Sequence, residues 1–325
     1  KANRQRAEAF SWAGNVDSAF YYYELAIPVF KDSESWVDLA WCLNSVAVNK
    51  YFTGAYESFR KNLSEMEKVI NKNLHRADSV IKIELEVSLY DWKSVDYVLK
   101  DDLKQAEKHA LRALKLSENY LSRTSLDSLY LSDEYGRVTR FAIEKGDFDR
   151  ALDYAFKRKR ILESVEEGFS DLPETYADIG IIQMAKENYH LAIRYSKNAL
   201  KLDNEFATNY QNLQINIHNV LGKCYLETAK YDSAKYHLEK ALDVPTDFGR
   251  FVTWGRLGIL HNLINQPDNA IPKLEKAVKL KKENSGTGHA NFMIIEWYNQ
   301  LAKAHIQKRD FQTAHKLLQK ALAEN

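Results

Sequence analysis

The feature that most constrains this 325-residue chain is a triple of small and apolar residues that recurs eight times. An alanine is followed four residues later by a small or apolar residue, and three residues after that usually by another alanine. The first alanines lie between 36 and 51 residues apart. The triples are Ala19/Tyr23/Ala26, Ala55/Phe59/Asn62, Ala106/Ala110/Ala113, Ala151/Ala155/Arg158, Ala192/Ser196/Ala199, Ala234/Leu238/Ala241, Ala270/Leu274/Ala277 and Ala314/Leu318/Ala321. A period of this size indicates an array of like units, each of which contacts only its neighbours.

A second short pattern precedes several of these triples. The best-formed unit reads Trp254-Gly255-Arg256-Leu257-Gly258, followed after eleven residues by Ala270. The same frame gives Leu221-Gly222, Ile179-Gly180 and Leu301-Ala302 before their own triples. Small residues on two successive helices let their backbones approach closely, so each unit is predicted to be a helix–turn–helix.

This order of Trp, Leu-Gly, Tyr, Ala, an aromatic residue or Leu, and Ala resembles the tetratricopeptide repeat. The resemblance covers nearly the whole chain; it is strong in units five to eight and loose in units two and three. It implies an all-α fold, a right-handed superhelical solenoid of about eight helix-turn-helix repeats. We expect a single array over 1–325, with repeats near 1–30, 33–72, 75–120, 126–166, 172–203, 205–244, 249–283 and 290–325.

The units are longer than the repeat of about 34 residues that is usual for this family. The largest excess is in the third unit, where Tyr90–Asp102 intervenes before Leu103. Long-spaced arrays of this kind resemble the sensory or regulatory regions of bacterial signal-transduction proteins. The resemblance therefore implies a partner that is sensed or scaffolded rather than a reaction that is catalysed.

The charge balance argues against nucleic acid, because 46 Lys and Arg stand against 45 Asp and Glu, a net charge of +1. The basic run Lys157–Arg160 is expected to form a solvated helix face. No apolar run is long enough to span a bilayer. Cys42 and Cys224 lie far apart in the array and are predicted to be buried free thiols.

Patterns that would carry enzymatic chemistry are absent from the sequence. None of the nine histidines forms an H-x3-H pair, and no cysteine pair lies near them, so no metal site is predicted. His305 occupies a position where the repeat usually has a packing tyrosine. The stretch Asn284–Ala290 contains G-x-G without the third glycine of a phosphate-binding loop, and it is predicted to be a flexible inter-repeat loop. We expect no enzyme and no cofactor.

The family resemblance places ligand contacts on the first helix of each unit, three residues before and one after its Gly or Ala. These positions hold Asn219 and Lys223 in unit six, Asn299 and Lys303 in unit eight, and Arg140 in unit four. Amide and ammonium donors there resemble a clamp for a peptide carboxylate. Unit seven, which lies between, has Gly255 and Ile259 at these places.

The predicted function is a non-enzymatic module that binds a peptide or protein segment in a concave groove, as the sensing or scaffolding part of a bacterial regulator. The alternatives are a self-associating assembly scaffold, with a possible homodimer, and an extracytoplasmic receptor for a small molecule. Residue 1 is Lys and the last residues directly follow the eighth unit, so further sequence is expected at one end or both. This favours an extracytoplasmic location over a cytoplasmic one.

Overall fold

The computed structural model describes residues 2–13, 15–33, 35–120, 127–206, 211–246, 249–283 and 291–324. Within those ranges the chain forms sixteen α-helices and two short 3-10 helices, and no strand. The α-helices are α1 Ala2–Trp12, α2 Val16–Asp32, α3 Trp36–Phe52, α4 Tyr56–Asn73, α5 Ser79–Leu99, α6 Leu103–Tyr120, α7 Asp127–Glu144, α8 Phe148–Ser164, α9 Leu172–Ala185, α10 Tyr189–Phe206, α11 Gln211–Glu227, α12 Tyr231–Asp243, α13 Arg250–Leu263, α14 Pro267–Glu283, α15 Asn291–Gln307 and α16 Phe311–Ala323. The all-α fold predicted from the repeats is confirmed.

A left-handed residue recurs in the turn between the two helices of a unit. These residues are Gly54, Asp101, Gly146, Glu187, Ala229, Asn265 and Arg309, with φ between 54° and 74°. The N–H of the next residue donates to a carbonyl five residues earlier, as Lys230 does to Tyr225 at 2.8 Å and Gln266 to His261 at 2.8 Å. This is the Schellman arrangement that ends helices, and it reverses the chain within a few residues.

The chain divides into two compact units, and the first comprises residues 1–141. Its core is built from helices α1 to α5, with Phe59, Met66 and Ile70 of α4 fully buried beside Leu43 of α3 and Leu85 of α5. The alanines of the third triple, on α6, are also fully buried. Tyr135 of α7 donates to Glu118 of α6 at 2.8 Å, so α7 is tied to the preceding helix.

The second unit comprises residues 142–325. Its glycines lie where the repeat frame predicts close helix contact. A Cβ added to Gly222 would lie 2.5 Å from Leu238, one added to Gly258 would lie 2.4 Å from Leu274, and one added to Gly180 would lie 2.6 Å from Ser196. Each glycine therefore faces the middle residue of the triple on the following helix, which is why only a hydrogen fits there.

Two details differ from the sequence-based interpretation. The segment Tyr90–Asp102 is not an insertion before the helix pair, since most of it continues α5, a helix of 21 residues. Arg158 of the basic run is buried rather than solvated, with 4% of its surface exposed, and its guanidinium lies 2.9 Å from Glu174. The reason is its register, because Arg158 is the third member of its triple and so faces the neighbouring helix.

Candidate functional site

A cavity of about 560 Å³, lined by both polar and apolar side chains, lies within the first unit between the first helices of successive helix pairs. We call it the unit-1 cavity. Its walls come from α1, α3, α5 and α7, with one residue from α6. The lining residues are Arg4, Trp41, Asn44, Ile83, Glu84, Val87, Ser88, Asp91, Ser117, Tyr130, Asp133, Glu134 and Arg137. Its volume falls in the range of about 300–1,000 Å³ that is typical of ligand sites.

Two helices supply most of the polar lining, each through residues at positions i, i+3, i+4 and i+7. On α5 these are Glu84, Val87, Ser88 and Asp91, and on α7 they are Tyr130, Asp133, Glu134 and Arg137. This spacing places four side chains along one face of a helix, so both helices turn a continuous stripe toward the cavity. On the α3 side, Ser88 donates to Asn44 at 2.9 Å.

Asp91, Glu134 and Arg137 form a buried acidic cluster at the wall of the unit-1 cavity. The Nε of Arg137 lies 3.3 Å from Oδ1 of Asp91 and 3.8 Å from Oε2 of Glu134. The Glu134 side chain is 3% exposed. The two carboxyl groups are close enough to influence each other's pKa. Among the residues that the structure describes, neither Oδ1 of Asp91 nor Oε2 of Glu134 has a hydrogen-bond partner.

The electrostatics of this cluster follow from one guanidinium facing two carboxyl groups. Burial and the neighbouring Asp91 carboxyl raise the pKa of Glu134 to about 10. Burial also raises the pKa of Asp91, although the guanidinium of Arg137 acts in the opposite direction. Both shifts favour the neutral form of a carboxyl group, because two closely spaced buried carboxylates lose their hydration and repel each other.

Arg4, at another wall of the cavity, already has carboxylate partners. Its Nε lies 2.7 Å from Glu8, and its Nη1 is paired with Asp38 of α3. The aromatic rings of Trp41 and Tyr130 complete the lining, and Tyr130 is 71% exposed. An aromatic side chain at the edge of a polar cavity is a suitable anchor for a bound segment.

The sequence-predicted binding residues lie outside this cavity. In the second unit, Asn219 is buried at 4% exposure, and its Oδ1 accepts a hydrogen bond from Thr253 of α13 at 3.1 Å. Lys223 is ion-paired with Glu227 one turn further along α11, at 2.5 Å. The position three residues before the glycine therefore holds α11 against α13 here, whereas Lys223 stays partly exposed.

The other predicted residues are exposed. Asn299 borders a shallow depression of about 400 Å³ that Ile295, Leu318, Ala321 and Leu322 also line. Lys303 is exposed on α15, one turn after Asn299. Arg140 is exposed near the end of α7, in the first unit, and it has an interaction partner. Their role in binding a carboxylate remains a prediction.

Unit seven has Gly255 at the position that corresponds to Asn219 and Asn299. A Cβ added to Gly255 would lie 2.2 Å from Nε1 of Trp297, so the indole ring of α15 occupies the space beside α13. Together with the hydrogen bond from Thr253 to Asn219, this contact shows that the position three before the glycine packs first helices against each other in this part of the chain.

Sequence reasoning missed the acidic cluster and a pair of histidines. His218 of α11 and His237 of α12 face each other with their Nδ1 atoms 3.0 Å apart. The pair supplies only two possible metal ligands, and the described ranges contain no group of three His, Cys, Asp or Glu residues placed to hold a metal ion. A stripe of charged residues at helical spacing on α5 and α7 was the available signal for the cluster.

The remaining sequence expectations concern the thiols and one loop. Cys42 and Cys224 are free and buried, and burial raises the pKa of each thiol to about 12. This confirms their interpretation as buried thiols. Asn284–Ala290, predicted to be a flexible loop, lies outside the described residues.

The architecture, consecutive helix pairs closed by Schellman turns and packed through small residues, defines a helical repeat protein. Residues 171–247 match the family model described as the tetratricopeptide repeat. The predicted resemblance to the tetratricopeptide repeat is confirmed by this match within residues 171–247. No curated protein matches the sequence.

Similar solved structures share this fold at low sequence identity. The apo form of RapI superposes with a TM-score of 0.66 at 13% identity, covering 88% of this chain and 97% of RapI. A Rap protein complexed with Competence and Sporulation Factor superposes with a TM-score of 0.65 at 11% identity, and the match covers 99% of this chain and 96% of that Rap protein. The apo form of the quorum sensor NprR from B. thuringiensis superposes with a TM-score of 0.63 at 17% identity, and the match covers 91% of this chain and 77% of NprR. At these identities the likeness concerns the fold alone.

None of the helices described here combines the length and the apolar character needed to cross a bilayer.

Proposed function

We propose that the protein is a non-enzymatic binding module that holds a peptide or protein segment and forms the sensing or scaffolding part of a bacterial regulator. The observation that carries this proposal is the unit-1 cavity, which first helices of successive repeats line with polar side chains and the rings of Trp41 and Tyr130. Recognition sites typically combine polar groups, which fix the orientation of a ligand, with aromatic side chains, which bury part of the ligand's surface.

The comparisons support this proposal through the kind of protein that shares the fold. One Rap structure holds Competence and Sporulation Factor, and NprR is described as a quorum sensor. This chain superposes on both structures along most of its length. Helical repeats present long surfaces that suit extended ligands better than they suit catalysis.

The proposal is tested by selection from a random peptide library on the immobilised full chain. We expect bound peptides, and we expect Tyr130→Ala to weaken their binding about tenfold, the loss of an anchor worth about 1.4 kcal/mol. Tyr21→Ala is the matched control, because Tyr21 is also an exposed tyrosine of the first unit, at 58%, but does not line the cavity.

The same selected peptides test the predicted carboxylate clamp. Each is synthesised with a free carboxylate and with a C-terminal amide, and binding is measured by calorimetry to wild type and to Lys303→Ala. A clamp at Asn299 and Lys303 requires that the free acid bind better than the amide and that Lys303→Ala remove the difference. Failure to select any peptide would refute the binding function, whereas equal binding of acid and amide would refute only the clamp.

A further inference from the structure

We propose that the end of repeat eight docks an amphipathic helix of a partner protein, and that a carboxylate of this helix meets Lys303. The docking surface is the shallow depression of about 400 Å³ on α15 and α16, which we call the α15–α16 face. Its lining residues are Ile295, Asn299, Leu318, Ala321 and Leu322. They belong to the second unit, whereas the unit-1 cavity belongs to the first, so this inference goes beyond the proposed function.

The α15–α16 face repeats a surface that occurs earlier in the chain. Each lining residue has a counterpart 80 residues before it, on α11 or α12. The pairs are Ile215 and Ile295, Asn219 and Asn299, Leu238 and Leu318, Ala241 and Ala321, and Leu242 and Leu322. The residue types are identical in all of these pairs, so the ends of repeats six and eight present the same side chains.

The counterpart surface in repeat six is covered by the helix α13. Leu238 has no exposed surface, and it shares a buried cluster with Leu257 and Leu260 of α13. Thr253 of α13 donates a hydrogen bond to Oδ1 of Asn219 at 3.1 Å. The element that fits this set of residues is therefore a helix with an apolar stripe, which packs on the leucines, and a hydroxyl group, which bonds to the amide.

In repeat eight the same side chains are open to solvent. Leu318 is 41% exposed and Leu322 is 76% exposed. Asn299, the counterpart of the buried Asn219, is exposed as well. Adjacent apolar side chains that stay exposed are typical of a surface that binds another protein.

The charge at the edge of the face differs between the two repeats. In repeat six Lys223 is ion-paired with Glu227 at 2.5 Å. In repeat eight Gln307 stands at the position of Glu227, and its amide donates to the carbonyl of Asn262 at 3.3 Å. Lys303 has no ion-pair partner within the described ranges, and α16 contains two lysines but no acidic residue. A helix that supplies negative charge is therefore complementary to this face.

A second copy of the chain fits the face less well than an acidic helix does. Its α1 is the first helix of repeat one, but Arg6 and Asn3 stand where α13 has Leu257 and Trp254. That helix therefore lacks the apolar stripe. Two α15–α16 faces packed against each other would bring both copies of Lys303 into one interface, where like charges repel.

The test uses two helical peptides with the sequence of residues 249–264, which include α13. Both are acetylated, amidated and constrained as helices by a side-chain bridge outside the apolar stripe. One keeps the native sequence and the other carries Arg256→Glu. The guanidinium of Arg256 lies close enough to Cys224, the neighbour of Lys223, to oppose the burial that raises the pKa of that thiol. A carboxylate at this position should therefore lie near Lys303 when the peptide occupies the α15–α16 face.

We expect the Arg256→Glu peptide to bind the full chain at least tenfold more tightly than the native-sequence peptide, as measured by fluorescence anisotropy. Leu322→Ser should weaken this binding at least tenfold, because it removes an apolar contact from the face. Phe52→Ser is the matched control, since Phe52 lies in the first unit and is 75% exposed. It should leave the affinity unchanged.

A third variant tests the predicted ion pair. Lys303→Gln should reduce the affinity of the Arg256→Glu peptide to that of the native-sequence peptide, because it removes the charge that distinguishes them. In the wild-type protein, added salt should reduce the same difference. Because both peptides have blocked ends, a clamp for a terminal carboxylate does not contribute to this result.

The inference is overturned if neither peptide binds, if both bind equally, or if Leu322→Ser binds the acidic peptide as tightly as wild type does. Sedimentation over a concentration series tests a second copy as the occupant. A dimer that Leu322→Ser dissociates and Phe52→Ser retains would assign the face to self-association and reject the partner helix. These outcomes leave the unit-1 cavity untouched, so the proposed binding function is decided separately by Tyr130→Ala.

Discussion

Gly54 illustrates how single residues determine the turns between paired helices. Its φ of +74° lies in the left-handed region, and an added Cβ would meet no atom within 4 Å. The cost of a side chain there is therefore one of backbone conformation alone. We expect Gly54→Ala to lower the free energy of unfolding by about 0.5–1 kcal/mol, because alanine resists this conformation.

The opposite substitution provides the control for this prediction. Ala229 has a φ of 54° in the equivalent turn between α11 and α12, so Ala229→Gly should leave stability equal or slightly increased. Urea unfolding of both variants measures the two effects. Unchanged stability of Gly54→Ala, or a clear loss in Ala229→Gly, would show that the turn conformation does not limit stability.

The residue scale also shows what the sequence could predict. Gly222 and Leu238 could be paired in advance, because the spacing of small residues fixes which backbones approach each other. Asp91 and Glu134 could not be paired, because they lie on α5 and α7, in units where the repeat pattern is weak. Their proximity depends on the packing of successive first helices, which spacing within one unit does not determine.

At the scale of elements, the pair α11 and α12 buries two histidines against each other. Burial, with the nearby His237, lowers the pKa of His218 to about 4, and burial lowers the pKa of His237 as well. Tyr225 stacks on the His237 ring, with centroids 5.5 Å apart. Protonation is therefore disfavoured in the folded state relative to the unfolded chain.

The sign of the resulting pH dependence follows from that difference. Above the unfolded pKa of about 6.5 the histidines are neutral in both states, so they do not change the free energy of unfolding. Below that pH the unfolded chain binds protons at these histidines, whereas the folded chain does not. Stability should decrease as pH falls from about 6.5 toward 4, with His218 contributing at most about 3 kcal/mol. Urea unfolding at pH 7.5, 6 and 5 measures this loss.

Two variants assign the effect to the buried pair. His218→Gln keeps an amide that can hydrogen-bond to His237 but cannot titrate, so it should flatten the acid dependence. His190→Gln removes an exposed histidine of α10 and should leave the dependence as in wild type. The same acid loss in all three proteins would place its origin elsewhere, in groups such as the carboxylates.

At the scale of the whole molecule, we expect the free energy of unfolding to come from several buried clusters along the array rather than from one core. The buried clusters of the second unit are separate: one centres on Leu221, Leu238 and Leu257, and another on Leu274 and Trp297. Each cluster is shared between adjacent helix pairs. Contacts of this local kind make stability approximately a sum over units and their interfaces.

Removal of repeats seven and eight, residues 249–325, tests this distribution. The truncation exposes the surfaces of α11 and α12 that α13 covers, including Asn219. We expect circular dichroism to show helix lost only in proportion to the helices removed, and urea unfolding to show a lower midpoint. A concentration series identifies any association through the exposed face. Complete loss of helix on this truncation would mean that the units do not fold by nearest-neighbour contacts, because the buried cluster of α1 to α5 is built from residues of those helices.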